Sequence, residues 1–190
     1  MKAKFALKIT ISCLWPLFCA PLGAEFSYGG TGCPQDSINI YYHNNNPIEA
    51  IFTMFIINAD PYTNSLRKSC SIALPIAPQF GQQVSLEEVR LYGFHYLSDE
   101  AKAELNVEIF VAGDVGPIQT ASFSNKRTFT RDFSSPEWTP CGKAAILRIN
   151  MAAKLSNPSK HPASFQVEKM GGDKKLFKLK WRPCIMLSGL

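Results

Sequence analysis

The stretch Ala144-Ala145-Ile146-Leu147-Arg148-Ile149-Asn150-Met151-Ala152-Ala153-Lys154-Leu155 decides the fold class. Leu147, Ile149, Met151, Ala153 and Leu155 fall on one side, and Arg148, Asn150, Ala152 and Lys154 on the other. A period of two belongs to a β-strand with one buried face, because successive side chains point to opposite faces. Just upstream, Trp138-Thr139-Pro140-Cys141-Gly142 reads as an extended or turning approach. Pro136 and Pro140 lack backbone donors, and Pro140 biases Thr139 away from helix. A cysteine at the mouth of a long strand is a natural tether point.

Working outward from that strand, the same alternation recurs. Leu105, Val107, Ile109 and Val111 alternate with Asn106, Glu108 and Phe110, and Gly113 to Pro117 is a strong turn. Phe123, Phe129 and Arg131 predict one or two edge strands. Val84 and Leu86 are followed by Val89 and Leu91 with Glu87 and Glu88 between them, which is either a bulge or a short helical turn. Cys70 precedes a strand carrying Ile72 and Leu74, which Pro75 and Pro78 end or place at a sheet edge. Ala50 to Ile57 is apolar on both faces and predicts one buried strand, preceded by a short strand at Ile38, Ile40 and Tyr42 and a turn from His43 to Pro47. Tyr28-Gly29-Gly30-Thr31-Gly32-Cys33-Pro34 is too glycine-rich for a regular element and reads as a loop pinned by Cys33. At the other end, Phe165 and Val167 mark a strand, and Phe177, Leu179 and Trp181 oppose Lys178, Lys180 and Arg182, a core face against a basic stripe. With few helical signals, this predicts an all-β chain: an antiparallel β-sandwich of about eight to ten strands, stapled by two disulfides.

The compartment follows from the first residues and the cysteines. Lys2, Lys4 and Lys8 precede an uncharged run from Ile9 to Leu22 and then Gly23-Ala24, the layout of a secretory signal peptide spanning residues 1–24. The run is short for a membrane span and is interrupted by Pro16 and Pro21, so no transmembrane segment is expected after cleavage. Residues 25–190 are expected to form a single secreted β-sandwich domain, located extracellularly or in a periplasm. Cleavage removes Cys13 and Cys19 and leaves Cys33, Cys70, Cys141 and Cys184, an even set that reads as two disulfides. A four-cysteine zinc site would need close pairs, and no two of these residues are nearer than 37 positions. Spacing cannot choose among three pairings. Antiparallel neighbours would bring the start of the Ile72–Ile76 strand to the end of the Phe177–Trp181 strand, which favours Cys70 with Cys184 and Cys33 with Cys141.

The mature chain has 17 Lys and Arg against 15 Asp and Glu, but 10 of the basic and only 2 of the acidic residues lie in 143–190. That asymmetry fits an anionic partner or, more simply, acidic and basic strands lying side by side in one sheet. Export argues against nucleic acid as a partner.

Four segments in order, Gly30-Thr31-Gly32-Cys33-Pro34, Cys70 before an aliphatic strand, Trp138-Thr139-Pro140-Cys141-Gly142 with Ile149-Asn150 following, and Leu179-Lys180-Trp181-Arg182-Pro183-Cys184, resemble the secreted domain-of-unknown-function family catalogued as 4360. The resemblance runs from about Tyr28 to Cys184. It implies secretion and disulfides and brings no catalytic residues.

Candidate chemistry is sparse. His43, His95 and His161 show no paired spacing for metal or acid–base work. No Gly-x-Ser-x-Gly elbow is present, and cysteines held in disulfides offer no thiol nucleophile. Glu87 with Glu88, Asp99 with Glu100 and Glu104 with Glu108 could supply a glycosidase pair, although cooperating carboxylates usually come from different strands. No cofactor is expected. The leading reading is a non-catalytic module that binds an extracellular glycan or surface protein through exposed aromatics, with Tyr41, Tyr62, Tyr92 and Tyr96 as candidates. The alternatives are an envelope-associated structural protein and an enzyme with an unrecognised carboxylate site.

Overall fold

The computed structural model describes residues 27–184 except 44, 45, 61, 63, 99, 136, 159, 160 and 172–176; the expected signal segment lies outside the described residues. Every regular element among them is a strand: β1 (Ser27–Gly29), β2 (Ile38–His43), β3 (Asn46–Phe52), β4 (Ile56–Ala59), β5 (Ser65–Ile76), β6 (Gln82–Tyr96), β7 (Lys102–Val111), β8 (Ile118–Phe123), β9 (Lys126–Phe133), β10 (Ala145–Ser156), β11 (Ala163–Gly171) and β12 (Lys178–Pro183). They form two antiparallel sheets. One has the order β1-β5-β10-β7-β8; the other has the order β12-β6-β11-β3-β2, with β4 also on β11 and β9 also on β6.

The strand that sets the fold class occupies the centre of the five-stranded sheet. β10 pairs along its whole length with β5 and along most of it with β7. Leu147, Ile149, Met151, Ala153 and Leu155 are all buried, as the alternation requires. They meet the inner face of the second sheet, where Val84, Leu86, Val89 and Leu91 of β6 and Phe165 and Val167 of β11 are buried in the same cluster. Phe123 of β8 packs across the interior on Phe165 of β11, ring centroids 5.1 Å apart.

β6 is the spine of the second sheet. The pairing shifts between Lys178 opposite Glu88 and Leu179 opposite Leu86, so Glu87 is the extra residue of a β-bulge. The bulge keeps Val84 and Leu86 on the same inward face as Val89 and Leu91. One edge of β6 carries β9 and then its continuation, with Ser135 N–H donating to the Leu86 carbonyl, Thr139 N–H to Val84 and Gly142 N–H to Gln82. The other edge carries β11 and then β12, ending where Cys184 N–H donates to the Gly81 carbonyl.

That arrangement corrects the expected cysteine pairing. The bridges join Cys33 to Cys70 and Cys141 to Cys184, with Cα separations of 5.3 and 5.8 Å. β5 and β12 are not neighbours; they belong to different sheets, so Cys70 never approaches Cys184. Cys141 and Cys184 instead arrive at the start of β6 from its two edges. Cys33 enters beneath β5, where Gly32 N–H donates to the Ser69 carbonyl at 2.8 Å.

Two further expectations change. The apolar run from Ala50 to Ile57 is two strands: the chain turns outward at Thr53 and Met54, both exposed, and β3 and β4 then pair with successive parts of β11. Phe55, between them, is buried, and its carbonyl accepts from Val167 N–H. Trp181 is not core but 47% exposed, because β12 is a sheet edge with only β6 beside it. The simpler reading of the charge asymmetry holds, since the basic C-terminal third lies beside earlier acids: Lys169 pairs with Glu49 at 2.9 Å, Lys178 with Glu87 at 3.5 Å, and Lys154 stands opposite Glu104.

The two disulfides differ in access. Cys33 and Cys70 are buried, whereas Cys141 is exposed and Cys184 half-buried. Thiol–disulfide exchange needs approach to a sulfur. Mild reductant is therefore expected to open Cys141–Cys184 first, and alkylation with mass mapping should label Cys141 and Cys184 before Cys33 and Cys70.

Candidate functional site

The outward face of the five-stranded sheet carries a groove of about 370 Å³. It exists because the three central strands of the sheet, β5, β10 and β7, send polar positions outward in register. Ser71 of β5 stands opposite Asn150 of β10, which stands opposite Glu108 of β7. The Ser71 hydroxyl donates to Asn150 Oδ1, and Asn150 Nδ2 donates to Glu108 Oε2 at 3.2 Å. One row along, Thr120 of β8 donates its hydroxyl to Asn106 Oδ1 at 2.7 Å. Arg67 and Ser69 close the β5 side, and Ile118, 66% exposed, forms an apolar lip on the β8 side. The two rows together hold a carboxylate and two carboxamides in place side by side. Each still has donor or acceptor capacity towards solvent, since a carboxylate offers about four lone-pair sites and a carboxamide nitrogen two protons.

None of the candidate tyrosines lines this groove. Tyr92 and Tyr96 lie with Phe94 on the outer face of β6, on the opposite sheet, with Tyr96 46% exposed. Lys169 Nζ sits 4.6 Å from the Tyr92 ring centroid and Lys126 Nζ 5.5 Å from that of Tyr96. The hydrogen bond to Glu49 raises the Lys169 ammonium above its ordinary pKa, and hydrogen bonds to Asp132 and Tyr92 likewise raise Arg90. Tyr41 stands on β2 opposite Glu49, so it shares this face, and it is half exposed. Tyr62 is 92% exposed in the β4–β5 loop.

The two tryptophan-containing motifs meet at the start of β6. Arg182 Cζ lies 3.9 Å from the Trp138 ring centroid, and Arg182 Nε donates to Gln83 Oε1, whose Nε2 donates to the Thr139 carbonyl. Buried Thr139 accepts from Val84 N–H through its hydroxyl at 3.0 Å. The motif residues thus build the sheet end that the Cys141–Cys184 bridge closes.

Residues 24–184 match the pattern of the family described as Domain of unknown function (DUF4360). The chain belongs to the DUF4360 family. An uncharacterized secreted protein of Arthroderma benhamiae (strain ATCC MYA-4681 / CBS 112371) is 21% identical to this DUF4360 chain over 171 residues, covering 83% of it and 69% of the relative. Among solved structures, TmCBM61 in complex with β-1,4-galactotriose is similar at a TM-score of 0.32 and 9% identity, over 76% of this chain and 86% of that one. PfGH50B is similar at a TM-score of 0.23 and 10% identity, over 85% of this chain and 23% of that one. At such scores neither likeness carries an inference about ligand. With two disulfides and a secreted relative, the DUF4360 chain is an extracytoplasmic protein.

The remaining sequence candidates do not converge in this DUF4360 structure. His95 is buried, its Nδ1 3.0 Å from the Asn125 carbonyl and its ring 5.2 Å from that of Phe123, so it is part of the aromatic core. His161 is exposed, and the side chain of His43 and residue Asp99 lie outside the described residues. Glu87 faces Lys178, and Glu88 lies 3.2 Å from Arg90. Among the described residues no group of three or more His, Cys, Asp or Glu could hold a metal ion.

Proposed function

We propose that the protein is a secreted, non-catalytic glycan-binding module whose ligand lies in the groove over β5, β10 and β7. The observation that carries this reading is the cross-strand row Ser71–Asn150–Glu108, a line of hydroxyl, carboxamide and carboxylate fixed by mutual hydrogen bonds in an otherwise open groove. Sugar hydroxyls both donate and accept, so a row of fixed groups that does the same can engage neighbouring hydroxyls without reordering. The groove volume lies within the usual range for small-molecule sites. Among the described lining residues Glu108 is the one carboxylate. Glu104 shares its face but stands four residues along β7, about 13 Å at strand rise, beyond the spacing of a glycosidase pair. Binding rather than hydrolysis is therefore the better reading of the groove.

The test is calorimetric titration of the oxidised protein with neutral xylo-, cello- and galacto-oligosaccharide trimers, alongside pelleting with the parent polysaccharides. At least one neutral saccharide should bind. Asn150→Ala, which removes the middle of the row, is expected to weaken that binding about tenfold while leaving the far-UV spectrum unchanged. Binding that survives Asn150→Ala and Glu108→Ala at full strength, or no binding across the panel, would overturn the reading.

A further inference from the structure

The two sheets part along one edge, between β8 of the five-stranded sheet and β9 of the other. The strands are joined through Ser124 and Asn125, where Asn125 takes φ 68°. Further along, Gln119 holds the edges together, with Nε2 donating to the Ser134 carbonyl at 2.7 Å and Oε1 accepting from Ser134 N–H. Between these two points lies an open slot of about 460 Å³. Its floor is Phe123 and Phe129, ring centroids 4.6 Å apart, and its walls include Ser122, Ser124, Arg127 and Arg131.

The cations are the unexpected part. Arg127 stands opposite His95 and Arg131 opposite Leu91, both of them buried, so the two arginines are on the core-facing side of β9, in register with the aromatic floor. Arg131 Cζ lies 5.7 Å from the Phe123 ring. Elsewhere on this sheet Arg90, Lys169 and Lys178 each have a carboxylate partner. Among the described residues neither Arg127 nor Arg131 has one, and no carboxylate lines the slot. An inward charge on an edge strand deters pairing with another chain, and one charge suffices for that. Two arginines at positions i and i+4, their Cα atoms about 13 Å apart along the strand, beside serine hydroxyls, suit two separated charges of a linear polyanion better than a single oxyanion. Guanidinium is also the cation best suited to planar carboxylates.

We infer that the β8–β9 slot is a second binding site, selective for acidic saccharides of the polyuronide class, with Arg127 and Arg131 each holding one uronate carboxylate. The inference rests on the glycan reading only in taking a saccharide to carry the charges, and the site is separate from the neutral groove. The test titrates the oxidised protein with trigalacturonate, its fully methyl-esterified counterpart and inorganic sulfate. Trigalacturonate is expected to bind, the ester at least about tenfold more weakly, and Arg127→Ala with Arg131→Ala to abolish the difference. Asn150→Ala should leave trigalacturonate binding intact, so loss of the neutral groove and loss of this slot give different patterns. Both arginines are exposed, and an unchanged melting temperature checks that the double variant folds. Equal binding of acid and ester, insensitivity to the double substitution, or displacement by equimolar sulfate would overturn the assignment.

Discussion

Replacing Gly93 with alanine is expected to destabilise the protein by about 3 kcal/mol, lowering the melting temperature by about 10 °C. Gly93 lies near the C-terminal end of β6, flanked by Val167 of β11 and Phe129 of β9. A Cβ there would sit 2.1 Å from the Gln166 carbonyl oxygen and 2.5 Å from two carbons of the Phe129 ring. The first obstacle is backbone in the neighbouring strand and cannot swing away. The second belongs to a ring packed against Phe123 and stacked on Phe165 at 5.5 Å. Relief must come from parting β6 from β11 or repacking the aromatic cluster, and both disturb the core. Gly81, which lies in a turn with φ 77° and open space around its Cβ position, provides a contrast. There alanine is strained by backbone conformation alone, and a smaller effect is expected. Thermal denaturation of Gly93→Ala and Gly81→Ala side by side checks the order.

The second large effect is loss of the buried bridge. Cys33→Ala with Cys70→Ala opens a loop of 37 residues, and Cys141→Ala with Cys184→Ala one of 43. Chain entropy alone assigns about 4 kcal/mol to each, marginally more to the second. The account predicts the reverse order. The 33–70 bridge is in the core and holds the glycine-rich loop against β5. There Ser69 N–H donates to the Thr31 hydroxyl, and the position of a Cβ on Gly30 falls 2.3 Å from the Ser69 carbonyl oxygen. Removing it leaves a cavity as well as a freer unfolded chain. The 141–184 bridge closes a solvent-facing sheet end that Gln83, Arg182 and Trp138 also hold. Denaturant melts of the two double variants should therefore show the larger loss of stability for the 33–70 pair; equal losses would mean that loop entropy is the whole effect.

Strand content was largely legible in the sequence, and strand neighbourhood was not. The alternations at Leu147–Leu155 and Leu105–Val111 predicted inward and outward faces residue by residue, because a half-buried strand imposes its period on the side chains. At Glu87-Glu88 the sequence left a bulge and a short helical turn open, and the structure takes the bulge, since an extra residue keeps Val84, Leu86, Val89 and Leu91 on one face. Cysteine pairing depends on which strands are adjacent, and nothing in the residues around Cys70 says that its strand lies in the other sheet from β12. The break at Thr53-Met54 was hidden because a run apolar on both faces has no period to interrupt. Trp181 was read as core from alternation, which reports the face of a strand but not its distance from the sheet edge.

The groove was hidden for a related reason. Ser71, Glu108 and Asn150 come singly from three strands and carry no local motif; in sequence each is one polar residue among the outward positions. Their only signal was the alternation itself, which puts each of the three at an outward position of its strand. Exposed aromatics are a familiar binding device, and that alone recommends the tyrosines in the sequence. The structure ties Tyr92 to Lys169 and places Tyr62, 92% exposed, in a loop off the strands.

The most direct measurement is chemical-shift mapping of the ¹⁵N-labelled, oxidised protein on titration with the tightest neutral oligosaccharide from the calorimetric panel. The account predicts that perturbed amides and side-chain carboxamides cluster at Ser69, Ser71, Asn106, Glu108 and Asn150. Perturbations centred instead on Tyr92, Phe94 and Tyr96, on the opposite sheet, would contradict it.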